Sequence, residues 1–434
     1  MAAMVAPATA QELTYFGAEV AGNKEGTIPP YTGGLPKDLN PPGFKPNSGR
    51  WVDPFADEKP LYSITAQNVA QYADKLSELQ KELLKRYPTY RLDIYPTHRT
   101  ANFSKFQREA MARNATASRL AKDGNAVEGA TGCIPFPIPK NGKEVAWNHQ
   151  LRNQGSYGQD YQFTNWYVDA NGKKINGVVS NQLSRIACMN EKGGPDFLKE
   201  DGHVVQSVIN NIFPPRVAGD GTLFVDFIDM EANPRRAWSY SASTRRIRLA
   251  PDLAYDTPVA SVGGVYTYDD AQIIFGKLDR FDYKLIGKKE MFIPYSNYKA
   301  LFSPAEPILG AKHANPDFLR WELHRVYVVE ATLKPGFRHV YSKRIFYFDE
   351  DKTGAAMSDA FDSAGKLFRG TTLLTAQLWD LEAQHSFDWI SYDLSTGLYC
   401  LSGHQGDGKG FFAKPEGFPN SQFTPDALVA RSGR

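Results

Sequence analysis

Surplus charge is the first thing this sequence lacks. Fifty Lys and Arg stand against 48 Asp and Glu, a formal net charge of +2, so no overall electrostatic argument points to nucleic acid or an anionic membrane. Long apolar runs are lacking too: no stretch reaches the eighteen or so residues a membrane-crossing helix needs. Cysteine is scarce, with Cys133, Cys188 and Cys400 far apart and no C-x-x-C, which excludes zinc-ribbon spacing. An odd count leaves at least one thiol unpaired. Cys133 and Cys188 are open to a bridge in an oxidising compartment or to burial as free thiols. The chain has no H-E-x-x-H and no G-x-S-x-G, and its eight histidines are scattered.

Aromatics are abundant instead: 22 Tyr, 26 Phe and 7 Trp make up 13% of the residues, and such side chains favour pleated, half-buried surfaces. The longest apolar stretch, 320–351, reads as two long strands joined by a tight turn at Lys334-Pro335-Gly336, where proline presets φ and glycine accepts a positive one. Further strands are expected at 160–168, 173–188, 203–213, 222–229, 236–240, 245–249, 281–293 and 387–401. The first two flank Asp169-Ala170-Asn171-Gly172, whose Asn-Gly is a strong hairpin signal. Asp362-Ser363-Ala364-Gly365 marks another turn. Helical spacing predicts helices over 64–87 and 102–122, with short ones over 142–152 and 268–275. Residues 11–60 are rich in Gly and Pro but carry Phe16, Ile28, Tyr31, Phe44, Trp51 and Phe55, so they are expected to drape on the body as an ordered, irregular arm. Residues 1–10 end in A-T-A and read as the remnant of a trimmed export signal. A single β-rich body over 61–402 and an irregular tail from 403 complete the expected organisation.

Ten to twelve strands at short spacing argue for an α+β fold built on one large curved antiparallel sheet. Eleven strands span roughly 50 Å, and two helices cover about 20 Å of that. The sheet is therefore expected to keep apolar area that its own helices leave bare, and to hold a cavity. Phe281, Tyr283, Leu285, Met291 and Ile293 share one parity of their strand; with Trp321, Tyr327 and Val329 they are the candidate lining.

Few residues suggest chemistry. Gly403–Lys409 resembles the start of a phosphate-binding loop, but Gly410 stands where Ser or Thr would hold magnesium, and no helix is expected after it. His324 and His339 fall on strands expected to pair and, with Glu322 or Glu330, are open to a metal or to ordinary strand-face polarity. Asp349, Glu350 and Asp351, with Asp359 and Asp362, suit a calcium loop or, more simply, a solvated turn. Arg235, Arg236, Arg245, Arg246 and Arg248 place five guanidinium groups on two adjacent strands, either as a mouth for phosphate or carboxylate headgroups or as paired surface charge. Glu144 and His149, near Trp147, are a possible acid–base pair without a visible nucleophile.

Several segments together resemble a family of exported Gram-negative proteins commonly labelled outer-membrane lipoprotein-sorting proteins, after the carriers LolA and LolB. They include L-T-Y-F-G-A-E (13–19), G-T-I-P (26–29), D-P-F-A-D-E-K-P (53–60), I-P-F-P-I-P (134–139), W-N-H (147–149), R-R-I-R-L-A-P (245–251), Y-D-T-P (255–258), G-K-K-E-M (287–291), R-W-E-L-H-R-V (320–326) and D-E-D (349–351). Ser241-Ala242-Ser243-Thr244 departs from the Pro-Gly turn the family tends to use. The resemblance implies a half-barrel sheet closed by a few helices over an apolar cavity, a periplasmic location, and a genetic association with transporters of the resistance-nodulation-division class that move hydrophobic compounds. It carries over no catalytic residue and no cofactor. The expected function is a periplasmic carrier or chaperone for a hydrophobic small molecule or lipid, with a resistance-nodulation-division transporter or an outer-membrane protein as partner, no nucleic acid and no span of the membrane. The alternatives are an accessory subunit that docks such a transporter without a ligand, and an enzyme on a lipid or steroid using His149 and Glu144.

Overall fold

A computed structural model of the protein describes residues 12–193, 202–251 and 253–432; the export-signal remnant expected at 1–10 lies outside them. The strands in chain order are β1 (Tyr62–Ile64), β2 (Leu92–Ile94), β3 (Arg119–Ala121), β4 (Ala126–Glu128), β5 (Gly158–Val168), β6 (Lys174–Ile186), β7 (His203–Phe213), β8 (Gly221–Phe227) and β9 (Arg236–Ser241). They continue as β10 (Arg246–Leu249), β11 (Phe281–Pro294), β12 (Trp321–Leu333), β13 (Lys343–Asp349), β14 (Ala355–Phe361), β15 (Leu367–Leu378), β16 (Ala383–Asp393), β17 (Leu398–His404) and β18 (Phe411–Lys414). The helices are α1 (Glu78–Arg86), α2 (Lys105–Ala117), α3 (Gly142–Gln150), α4 (Tyr298–Phe302), α5 (Ala305–Ile308) and α6 (Pro425–Ser432).

Sixteen strands form one curved, open sheet, larger than the ten to twelve expected. Two meanders supply most of it, and β1, β2 and β18 add to them. One runs β5 to β10, the other β11 to β17, and antiparallel pairing of β17 with β5 joins them. The sheet path runs from β10 at one end to β1 at the other, where β2 and β11 both adjoin β12, while β3 and β4 make a separate two-stranded ribbon.

Both faces of the middle strands are buried, which the expectation of one bare face did not include. In β13, Ile345 and Tyr347 pack into one core while Phe346 and Phe348 enter the other. Alternating side chains point to opposite faces, so the two cores lie on opposite sides of the sheet. The first core holds Leu79, Leu83 and Leu84 of α1, Tyr298 and Leu301 of α4, and Ile308 of α5. The second holds Phe16 of the arm, Met111 of α2 and Trp147 of α3. A third, smaller core covers the back of β6 to β9 with Leu428 of α6 and Phe423 just before that helix. The tail read as loop therefore supplies β18 and a helix.

Several boundaries differ from those expected. The helix predicted over 64–87 is two single 3₁₀ turns followed by α1. The chain is extended at Leu76, and a Ser77–Gln80 capping box starts α1 at Glu78. The Asp359 carboxylate also accepts from the Glu78 and Leu79 N–H groups at 2.9 Å, which settles the first orphan donors of that helix. Ser104 caps α2, which stops at Ala117 because 119–121 pairs as β3. The helix expected at 268–275 is one 3₁₀ turn, Tyr268–Asp270. Lys334–Phe337 is a β-turn with Gly336 at φ 83°, as Pro-Gly requires. The second strand of that hairpin starts only at Lys343 and pairs antiparallel with β12 over Val326–Thr332, while β12 also pairs along its whole length with β11 on its other side.

A bulge between Leu285 and Gly287 corrects the proposed lining face. Phe281, Tyr283 and Leu285 stand opposite Leu333, Ala331 and Val329, whereas Met291 and Ile293 stand opposite His324 and Glu322. One extra residue reverses the parity. The set that looked like one face is divided between two.

Cys133 and Cys188 form a disulfide, closing a loop of 55 residues between the segment before α3 and the end of β6; Cys400 is a buried free thiol. Replacing both bridged cysteines by serine should lower the unfolding free energy by about 2–4 kcal/mol in urea titrations. An unchanged midpoint would mean that the bridge adds nothing to the fold.

Candidate ligand-binding cavity

A hollow of roughly 320 Å³ lies against β5 to β8. Its wall is built by period-two alternation: Tyr161, Phe163 and Asn165 of β5, Val178, Ser180 and Gln182 of β6, Ile209 and Asn211 of β7, Thr222 and Phe224 of β8. Phe387 and Trp389 of β16 continue it across the junction of the two meanders. The intervening residues Leu183, Val208 and Leu223 belong to the core behind the wall, so the alternation that seals the back frees the front.

The roof is residues 253–275, which contribute Leu253, Val259, Tyr266, Tyr268, Gln272 and Phe275. Eight aromatic side chains enclose the space. Tyr161 and Phe387 stack at 5.5 Å, Tyr266 meets Trp389 edge-on at 5.5 Å, and Phe224 meets Phe275 edge-on at 5.5 Å. Such pairs hold one another in place. Arg235 is the one cationic residue in the wall among the described residues. Asp226 takes it bidentately at 2.7 and 2.8 Å, and its guanidinium lies 4.1 Å from the Phe275 ring centre, so its charge is already matched.

Buried ion pairs hold the roof down. Arg344 of β13, 2% exposed, donates to Asp270 at 2.6 Å, to Asp269 at 3.3 Å and to the Ile273 carbonyl at 2.8 Å. His339 and Tyr341 approach Asp269 and Asp270 at 3.0 and 2.5 Å. Burial raises the Asp269 carboxyl, but Arg344 and His339 outweigh it and hold it well below the usual carboxylate range. These contacts also explain the long 334–342 loop, which carries His339 and Tyr341 to the roof.

The residues singled out from sequence fall mostly elsewhere. None of Phe281, Tyr283, Leu285, Met291, Trp321, Tyr327 and Val329 borders the large cavity. They pack in or against the two main cores. Ile293 borders a second hollow of only about 10 Å³ beside Tyr295, Asp349 and Lys352. Among the arginines, Arg235 reaches the wall, Arg236 lies over Phe227 at 4.9 Å, and Arg245, Arg246 and Arg248 are exposed. Glu144 and His149 do not pair. Glu144 closes the start of α3 on the Lys140 and Asn141 nitrogens. His149 is fully buried, accepts from the Ala355 N–H at Nδ1 (2.9 Å) and donates from Nε2 to the Gln272 carbonyl at 2.7 Å. Burial and nearby Arg152 push its pKa well below the ordinary value. The phosphate-loop likeness also fails, because β18 follows it rather than a helix.

The acidic turn is not solvated. Asp349, Glu350 and Asp351 are 2, 3 and 1% exposed, whereas Asp359 caps α1 and Asp362 shapes its own turn. His324, Asp349 and Asp351 bring donor atoms within 4.8 Å of one another, a set that could hold a cation, while His339 stands apart at the roof. Arg99 already takes both Asp351 oxygens, at 2.8 and 2.5 Å, and His324 stacks on Tyr295 at 3.8 Å, so the cluster works as an ion-pair network. Burial raises Glu322, yet His324, Arg320 (2.7 Å) and the His98 N–H (2.7 Å) hold it at about 2. The cavity wall itself went unread because aromatic and small polar residues share its parity, as in Y-Q-F-T-N and V-V-S-N-Q. That mixture, rather than apolar density, was the available signal.

The family model described as "Protein of unknown function (DUF1329)" matches residues 63–429. An uncharacterized protein of Pseudomonas aeruginosa is 37% identical over 441 residues, covering 96% of this chain and 90% of its own. The chain belongs to the DUF1329 family. Among solved structures, it is similar to a DUF1329 family protein from Desulfovibrio piger, at 14% identity and a TM-score of 0.43, covering 63% of this chain and 92% of that one. It is also similar to a LolA superfamily protein from Nitrosomonas europaea, at 12% identity and a TM-score of 0.40, covering 67% and 100%.

Two outcomes are expected of the buried charges in this DUF1329 chain. Arg344→Met should cost about 3–5 kcal/mol in urea unfolding, since it leaves the buried Asp270 carboxylate without its cation and Asp269 with His339 alone; a loss under about 1 kcal/mol would deny Arg344 its role at the roof. Glu322, depressed when folded, contributes stability that is complete above its unfolded value and is lost as pH falls from about 4.5 toward 2. Roughly 3 kcal/mol should therefore disappear across that window, and Glu322→Gln should flatten that part of the stability–pH curve.

Proposed function

We propose that this protein is a periplasmic carrier or chaperone for a hydrophobic small molecule, with no chemistry of its own, and that the ligand occupies the aromatic-walled cavity. The observation that carries the proposal is a hollow of roughly 320 Å³ enclosed by eight aromatic side chains, with its one guanidinium already neutralised. Ligand sites span about 300–1,000 Å³, so this one suits a single ring system or one short chain and not the several acyl chains of a lipoprotein. Each buried CH₂ is worth about 0.8 kcal/mol. Ten carbons therefore gain about 8 kcal/mol by leaving water, enough to justify a carrier between membranes. The Cys133–Cys188 bridge supports an oxidising compartment. A carrier also needs an acceptor, and the transporter or outer-membrane protein suggested by the family resemblance is the partner to seek.

Organic extracts of natively purified protein should contain a bound hydrophobic compound by mass spectrometry. The purified chain should also bind the neutral fluorophore 1-pyrenebutanol. Ser180→Phe, which fills the hollow from β6, should weaken that binding at least tenfold while the urea midpoint stays within error. An empty extract together with no probe binding would remove the carrier reading.

A further inference from the structure

The cavity wall does not end at the cavity. Across the sheet, Gln182 of β6 stands opposite Ile209, Ile209 opposite Thr222, Thr222 opposite Ser239, and Ser239 opposite Arg248 of the terminal strand β10. No bulge interrupts this row. The first three of these residues line the hollow. Neighbours across a sheet present their side chains on the same face, so Arg248 faces the same side as the wall. Strands are about 4.8 Å apart, which puts Arg248 two spacings, about 10 Å, beyond Thr222. Arg246, two residues earlier on β10 and opposite Ser241, shares that face.

Exposure rises along the row. Thr222 and Ser239 are half-buried and Arg248 is exposed, so the sheet emerges from under its roof toward β10. The other arginines of the group do different things. Arg235 is neutralised by Asp226, and Arg236, opposite Val225, faces the reverse side with Leu223. Arg246 and Arg248 have no hydrogen-bond or ion-pair partner among the described residues. An apolar hollow thus continues into two uncompensated guanidinium groups on one face, within reach of a molecule about 10 Å longer than the hollow.

We infer that Arg246 and Arg248 bind the anionic end of the ligand, so that the cargo is an amphiphile with one carboxylate or phosphate-type headgroup and a single apolar body. This inference rests on the carrier reading and specifies its ligand class. Guanidinium groups are matched to such oxyanions by their forked donors. Because both arginines are exposed, their contribution is expected to weaken with salt. The division of labour follows from the geometry: the aromatic wall holds the body, and the edge strand selects the charge.

Two fluorophores that share a ring system test this on the full chain: 1-pyrenebutanoate, which is charged, and 1-pyrenebutanol, which is not. The parent protein should bind the acid at least tenfold more tightly in low salt, with the preference shrinking in 0.5 M NaCl. The double substitution Arg246→Gln, Arg248→Gln should bring the two within about twofold by weakening only the acid, with an unchanged urea midpoint. Equal binding of acid and alcohol by the parent overturns the inference but leaves the carrier reading standing. Failure of both to bind overturns the inference too and, together with an empty extract, removes the carrier reading. Retention of the preference by the double variant overturns the assignment to these arginines. If the two probes bind alike while the double variant loses co-sedimentation with phosphatidylglycerol vesicles, the arginines belong to a membrane-docking surface, and the headgroup assignment is lost.

Discussion

Two-sided burial of the sheet is the constraint from which the rest of this structure follows. A strand covered on one face can leave the other to water, but β14 and β16 are buried along their whole lengths. Side chains there are mostly apolar or partnered polar groups, such as Asp359 on the start of α1 and Asp388 on His404. The cores on opposite faces take alternate residues of the same strands. Empty space can then survive only where the covering layers thin out. That happens beside the junction of the two meanders, under the irregular segment 253–275, and the cavity lies there.

Buried charge is the second consequence of covering both faces. Arg99, Arg320 and Arg344 are each under 10% exposed, as are Glu322, Asp349 and Asp351. Unpaired, each would cost several kcal/mol. The arginines are paired, mostly across distant parts of the chain: Arg99 with Asp351, Arg320 with Glu58 and with its near neighbour Glu322, Arg344 with Asp269 and Asp270, while Asp349 accepts from the Asp351 and Lys352 N–H groups. The ion pairs therefore act as locators. They fix the N-terminal arm and the cavity roof, two segments without regular structure, at one place on the sheet.

The sequence was most legible where the period was two and the turn chemistry explicit. The strand over 203–213 and the hairpin at Asn171-Gly172 are where residue pattern placed them, because alternation and φ preference are local. The apolar stripe over 69–87 misled, since consecutive 3₁₀ turns repeat apolar positions much as a helix does until the capping box at Ser77 restarts the chain. Parity over 281–293 misled for a different reason: a single bulge at Leu285 reverses it, and Gly287 (φ 145°) was the only hint. The D-E-D turn looked solvated because pattern alone does not reveal that Arg99, some 250 residues away, would meet it. The cavity was least legible. Its roof has almost no periodicity, and the bare surface sought over β11 and β12 is covered by arm, helices and the 259–278 segment.

The junction between β17 and β5 brings together residues more than 230 positions apart in the chain. Each meander can zip from one hairpin to the next, but this closure must wait for the two finished halves to meet, and contacts of such long range form slowly. Tyr161 and Phe387 stack across that boundary, and both line the hollow. A guest seated there touches both halves at once. Its occupancy would act as a clasp, favouring the joined state by RT ln(1 + [L]/Kd), so that the loaded molecule resists parting along this line more strongly than the vacant one.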